Sequence, residues 1–235
     1  MVRLQLLVSV IVLVAVCNIE VRAYRRAFAY PWIKTLDEFR RNAACDIDLG
    51  LVMDNTKGNF VLIKNFAKHL VGKFRISDDG THLGAITFGK TVNIRLLFSD
   101  FQGSKINLQN VEKQIDSWHG DSFVNNRHTR ISEALRTAKD FLFKTAGGMR
   151  SPPIQQVLVL FTNGKQDKGQ LSSTLSEAQK LRHKGIKLIA VGIQKPDLVN
   201  LVKIASNELN VYFLKTPDRI VSIAKKIVQS LCGKA

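Results

Sequence analysis

Asp54-Asn55-Thr56 closes an apolar run, Ile47-Asp48-Leu49-Gly50-Leu51-Val52-Met53. Far downstream a second run, Val157-Leu158-Val159-Leu160-Phe161, ends in Thr162-Asn163-Gly164, and Thr129 lies between the two. Strands that stop at a carboxylate and at hydroxyls can gather oxygen ligands for a hard divalent cation at the carboxyl edge of an α/β sheet. The spacing leaves a bland alternative open at each position. Asp54 and Thr56 could serve their own loop, and Asn163 beside Gly164 could form a turn.

Other chemistries find less support. The histidines (His69, His82, His119, His128 and His183) are scattered without metal-ligand spacing. No Gly-x-Ser-x-Gly elbow marks a nucleophile, and neither Cys45 nor Cys232 stands in an arrangement that would activate a thiol. No Gly-x-Gly-x-x-Gly follows a strand, so dinucleotide binding lacks its fingerprint. An enzyme is not expected. Asn-x-Ser/Thr sites are absent as well.

The elements that must position these residues alternate along the chain. Asp46 to Met53 reads as a strand, and Phe60, Ile63, Phe66, Ala67, Leu70, Val71 and Phe74 repeat at helical spacing. Leu83–Phe88 and Val92–Phe98, split by Gly89-Lys90, suit a hairpin. Val111, Ile115 and Trp118 fit a short helix. Ile131, Ala134, Leu135, Ala138, Phe141 and Leu142 predict a longer one. The run 157–161 is the central strand, and Leu175, Ala178 and Leu181 carry the next helix to Gly185. Ile186–Val191 is a strand, Pro196 opens a helix through Ile204, and Val211–Leu214 is the last strand. Thr216-Pro217 caps a final helix through Lys226. The expected fold is α/β: a doubly wound, mostly parallel six-stranded sheet with one antiparallel edge strand and helices on both faces.

The chain has 235 residues, 45% of them hydrophobic, which suits one such domain behind a processed leader. Arg3, the apolar stretch Leu4–Val16 and Val21-Arg22-Ala23 read as a secretory signal over residues 1–23, short and poorly flanked for a membrane span, with an uncleaved anchor as the other reading. Residues 24–42 form a basic N-terminal arm or short propeptide, and residues 43–235 the domain. Export leaves Cys45 and Cys232 as an even pair in an oxidising compartment, and a bridge between them would tie the domain's two ends together. The other outcome is two free thiols. The net charge is +16, and removing residues 1–23 takes away Arg3, Arg22 and Glu20, a fall of about one unit. So basic a surface suits polyanions such as sulfated glycans or acidic matrix proteins, while export argues against nucleic acid. Lys180, Arg182, Lys184 and Lys187, with Arg127 and Arg130, are candidate polyanion contacts, although a solvated helix end is the plain reading of the first four.

Several segments together resemble the von Willebrand factor type A domain over residues 43–233. They are 48–54 ending in Asp54-x-Thr56, Leu83-Gly84-Ala85-Ile86-Thr87-Phe88, Thr129 before Glu133-Ala134-Leu135, 157–164, and Ile189-Ala190-Val191-Gly192-Ile193. The resemblance implies a secreted, non-catalytic module that binds collagen or another matrix component through the loops at the sheet's carboxyl edge. It also implies a metal-ion-dependent adhesion site for Mg²⁺ with the pattern Asp-x-Ser-x-Ser, Thr and Asp. Asp54, Thr56, Thr129 and Asn163 occupy the matching positions. Gly58 replaces the second Ser, and Asn163 replaces the last Asp. One carboxylate is little compensation for dehydrating Mg²⁺, so a weak or empty site is expected.

Overall fold

The computed structural model describes residues 45–56, 59–120, 130–166 and 169–233. Its strands are β1 (Ile47–Asp54), β2 (His82–Phe88), β3 (Val92–Leu96), β4 (Gln155–Thr162), β5 (Lys187–Ile193) and β6 (Val211–Leu214). Between them run helices α1 (Phe60–Val71), α2 (Leu108–Asp116), α3 (Ile131–Thr137), α4 (Gln170–His183) and α5 (Leu198–Ile204), and α6 (Ile220–Cys232) follows β6. The sheet order is β3-β2-β1-β4-β5-β6, with every pair parallel except β2–β3. The doubly wound architecture expected from the alternating apolar patterns is therefore the one observed.

Strand periodicity explains how the central strand serves two cores. Ile47, Leu49, Leu51 and Met53 point to one face, where Phe66 of α1 stacks on Phe161 with ring centroids 4.6 Å apart and Ile223 and Ile227 of α6 close the layer. Val52 points to the other face, among Ile131, Leu135, Leu142 and Leu181. On that face Gly50 and Gly84 leave room for large neighbours. A Cβ on Gly50 would come within 2.8 Å of Phe143, and one on Gly84 within 2.8 Å of Leu142.

The helix predicted to run through Leu142 changes character midway. After Thr137 the chain continues as a π-segment, Ala138–Leu142, closed by Phe143 N–H donating to Ala138 O at 2.9 Å. The wider turn rotates the later side chains. Phe141, expected on the apolar face, is 55% exposed, and Phe143 is buried instead. Periodicity of 3.6 residues cannot anticipate this extra residue. The helix expected to open at Pro196 begins at Leu198, where the Asp197 carboxylate caps Asn200 N–H at 3.1 Å. The last helix runs beyond Lys226 to Cys232.

Two long-range ties fix the lower end of the sheet. Cys45 and Cys232 form a disulfide across 187 residues of sequence. Asp48, fully buried, receives Arg150 Nε on Oδ1 and Arg150 N–H on Oδ2, both at 2.7 Å. Arg150 also donates to Ile47 O at 3.0 Å, so one side chain pins the loop before β4 to the start of β1. Among the described residues no helix is long and apolar enough to cross a membrane.

Candidate functional site

Parallel registry brings the two polar strand ends together. Val52 pairs with Leu160 and Met53 with Phe161, which sets Asp54 beside Thr162 at the carboxyl edge. The Thr162 hydroxyl donates to Asp54 Oδ2 at 3.0 Å, and Thr56 N–H donates to Asp54 Oδ1 at 3.1 Å. Asp54 is fully buried. Burial pushes its pKa up from the ordinary 3.8, against the opposing pull of hydrogen bonds from Thr56 and Thr162.

From this pair a polar chain runs across the edge. Gly164 N–H donates to Thr162 Oγ1 at 3.2 Å. On the other side Asn59 Nδ2 donates to Thr56 Oγ1 at 3.3 Å, and Gln194 Nε2 donates to Asn59 Oδ1 at 2.6 Å. Gln194 holds a left-handed backbone, φ 57°, just beyond β5. Three loops, after β1, β4 and β5, are thereby linked. Asn55 is buried beside them, its N–H donating to Phe88 O at 2.7 Å, while its carboxamide has no hydrogen-bond partner among the described residues.

Asn163 does not turn its side chain toward Asp54 through any hydrogen bond. Its Oδ1 accepts from Lys165 N–H at 2.9 Å, the Asx turn expected of Asn before Gly. Its carbonyl accepts from Asp197 N–H at 2.8 Å, which anchors the loop to the start of α5. Thr129 and Gly58 lie outside the described residues, as does Arg127.

The described part of the donor set suits a dication poorly. Among the described residues it offers one carboxylate, both of whose oxygens already accept hydrogen bonds, and burial favours the protonated form of that carboxyl. Among the described residues no group of three or more His, Cys, Asp or Glu could hold a metal ion. Mg²⁺ gives up water reluctantly and asks for more charge than this.

The basic candidates are dispersed among separate duties. Arg182 sends its guanidinium to the carbonyls ending α5: Ile204 O at 2.6 Å, with Lys203 O and Ala205 O at 3.3 Å. Those carbonyls have no partner within their own helix, and a planar fork satisfies several at once. Lys180 pairs with Glu177 at 2.7 Å, Lys187 donates to Ser230 O at 3.3 Å, and Arg130 pairs with Glu133 at 2.8 Å. Lys184 is exposed on the C-cap of α4.

Thr162, Asn59 and Gln194 were not singled out in the sequence. Thr162 was within reach, since two strands ending in phase set Asp54 opposite it. The other two come from loops whose approach no local pattern encodes. One further spacing is a decoy. Gly84-Ala85-Ile86-Thr87-Phe88-Gly89-Lys90-Thr91 spells Gly-x-x-x-x-Gly-Lys-Thr, yet Gly84–Phe88 are strand β2 and a hairpin into β3 follows. A phosphate loop needs a helix after the lysine, and none is there.

A family model described as the von Willebrand factor type A domain matches residues 48–226. The collagen alpha-5(VI) chain of Homo sapiens is 25% identical over 172 residues, covering 73% of this chain and 6% of that protein. Matrilin-1 of Gallus gallus is 24% identical over 205 residues, covering 85% of this chain and 39% of that one. The chain thus spans well under half the length of these relatives. Proximal thread matrix protein 1 from the mussel byssus, solved with a zinc-occupied adhesion motif, shares the fold at TM-score 0.70 and 24% identity, over 80% of this chain and 49% of that one.

Proposed function

The chain belongs to the von Willebrand factor type A domain family, and from that premise we propose that it is a secreted recognition module of the extracellular matrix. It binds a protein partner, a collagen or another matrix component, through the loops beyond β1, β4 and β5, and it performs no catalysis. The observation that carries this reading is the edge built on Asp54, Thr56 and Thr162, where three loops are held in one geometry by side-chain hydrogen bonds. The kinship with collagen VI and matrilin chains supports the matrix setting.

Metal assistance is weak or absent in this reading. A single buried carboxyl with a raised pKa binds a dication poorly, so the loops themselves supply the contact surface. Residues 1–23 act as the export signal, and residues 24–42 as a basic arm or propeptide.

The test is capture of the protein on immobilised fibrillar collagen and on an acidic glycan, each with Mg²⁺, with EDTA and with added salt. Binding to collagen that survives EDTA is the expected result. Complete loss in EDTA would sink the weak-metal reading. Retention on the glycan alone, abolished at about 1 M salt where charges more than about 3 Å apart are screened, would transfer the function to the basic surface.

A further inference from the structure

Five of the nine large hydrophobic side chains exposed among the described residues fall between positions 198 and 213: Leu198, Val199, Val202, Leu209 and Phe213. That is the flank of the sheet where β6 is the outermost strand. Its outer edge pairs with no strand among the described residues, so a row of backbone N–H and C=O groups faces outward there.

Helix and strand geometry bring Leu198, Val199, Val202 and Phe213 to that edge. Ile204 packs into the cluster that contains Leu181 of α4, while Leu201 and Ala205 pack with Ala190 and Val211. Around α5, therefore, Ile204 marks the α4 side, and Leu201 and Ala205 mark the face over β5 and the start of β6. At about 100° per residue, the next positions beyond Ala205 are Leu198 and then Val202, with Val199 further out. Phe213 points to the same face of β6 as Val211, two residues before it. It also sits opposite Gly192 in register, and a Cβ on Gly192 would come within 2.8 Å of Pro196 and 2.9 Å of Leu201. Phe213 thus lies beside the first turn of α5.

The patch is ringed by cations. Lys195, Lys203 and Lys215 are exposed around it, and no ion pair holds any of them among the described residues. Of the acids in the same stretch of chain, Asp197 is committed to capping α5 and Asp218 lies 3.8 Å from Arg219, which leaves Glu208. A second copy of this chain would bring like charges together on a molecule whose sequence carries +16.

We propose that the β6–α5 flank is a docking surface for an extended acidic segment of a partner protein, which adds a strand to β6 and lays apolar side chains over Phe213, Leu198 and Val202. Main-chain hydrogen bonds would supply affinity, the apolar shelf would choose the side chains, and carboxylates at the segment's ends would meet Lys195, Lys203 and Lys215. This surface lies on the side of the domain and does not depend on the loop edge proposed above.

The probe is a labelled peptide of about ten residues, the upper length of an ordinary strand, with alternating valine and threonine in its middle and glutamates at both ends. Fluorescence anisotropy measures binding to the full chain, and amide NMR shifts locate it. Saturable binding is expected, with shifts confined to residues 195–203 and 211–215. Phe213→Glu and Val202→Glu, both at exposed positions, should each weaken it at least about tenfold, whereas Asp54→Asn should not. The proposal is overturned if the peptide does not bind, or if shifts map elsewhere. It is equally overturned if a lysine-ended peptide or one with proline at its centre binds as well, or if sedimentation shows the patch covered by a second copy.

Discussion

Asn163→Asp isolates what limits cation binding at the loop edge. Asn163 is partly exposed and follows Thr162, whose hydroxyl lies 3.0 Å from Asp54 Oδ2. An aspartate keeps the Asx turn, because a carboxylate also accepts from Lys165 N–H. The change therefore adds charge with little change of shape. A carboxylate about 4 Å from a dication contributes twice the unit-charge energy, about 2 kcal/mol in water-like surroundings and about 8 kcal/mol at an effective dielectric of about 20. Partial exposure and the cost of desolvating the new carboxylate favour the lower figure, which is about 30-fold in Kd. Titration calorimetry with Mg²⁺ and Mn²⁺ should find the unaltered chain weaker than about 0.1 mM, at the loose end of extracellular cation sites, and the variant about 30-fold tighter. Adding Asp54→Asn to the variant should abolish the gain. Tight Mg²⁺ binding by the unaltered chain would refute the reasoning from charge. An unchanged affinity in Asn163→Asp would refute the position of the site.

Removing the bridge with Cys45→Ala and Cys232→Ala releases a loop of 187 residues, for which the chain-entropy model gives about 5 kcal/mol as an upper figure; urea unfolding that moves by less than about 1 kcal/mol would count against a stabilising bridge. Asp54 has a folded pKa above its ordinary 3.8, so between those values the native state holds the extra proton and stability falls as pH rises through the window. Asp54→Asn should remove that slope, so that its stability relative to the unaltered chain improves from pH 4 to pH 7; a difference independent of pH would be the contrary result. Arg182→Met strips donors from three carbonyls ending α5 and should cost about 1–3 kcal/mol, whereas Lys184→Met should stay within about 0.5 kcal/mol, both read by urea midpoint.

The architecture was legible because the inner strands β1, β4 and β5 are largely apolar runs and most helices carry a 3.6-residue stripe. A parallel sheet buried on both faces leaves little else for such runs to become. The Cys45–Cys232 pair was legible for a different reason: a chain read as exported, with two cysteines at its domain ends, has one intramolecular pairing open to it. What escaped was set by contacts between distant residues. Arg182 read as one charge in a basic cluster because the carbonyls it caps belong to a helix some twenty positions later. Asp48, inside the first apolar run, drew no separate reading, and its partner Arg150 closes on it from 102 positions away. Phe141 was misplaced because one wide turn in the backbone shifts every later side chain, and nothing in the spacing marks where that turn falls.

Asp54 has a framework role that asks for no cation. Its two oxygens tie β1 to Thr162 of β4 and to the loop amide of Thr56, so the carboxyl is part of the framework that holds the edge together. Truncation to alanine would leave a buried hydroxyl and an amide without their acceptor, at about 1–3 kcal/mol each. Loss of partner binding in Asp54→Ala would then follow from a distorted edge as readily as from a lost cation. The two causes separate only when charge is added, not removed. If Asn163→Asp tightens Mg²⁺ binding and leaves capture on collagen unchanged in EDTA, the loops bind their partner as a shaped surface. The cation site beneath them would then be a remnant that geometry retains and charge no longer supports.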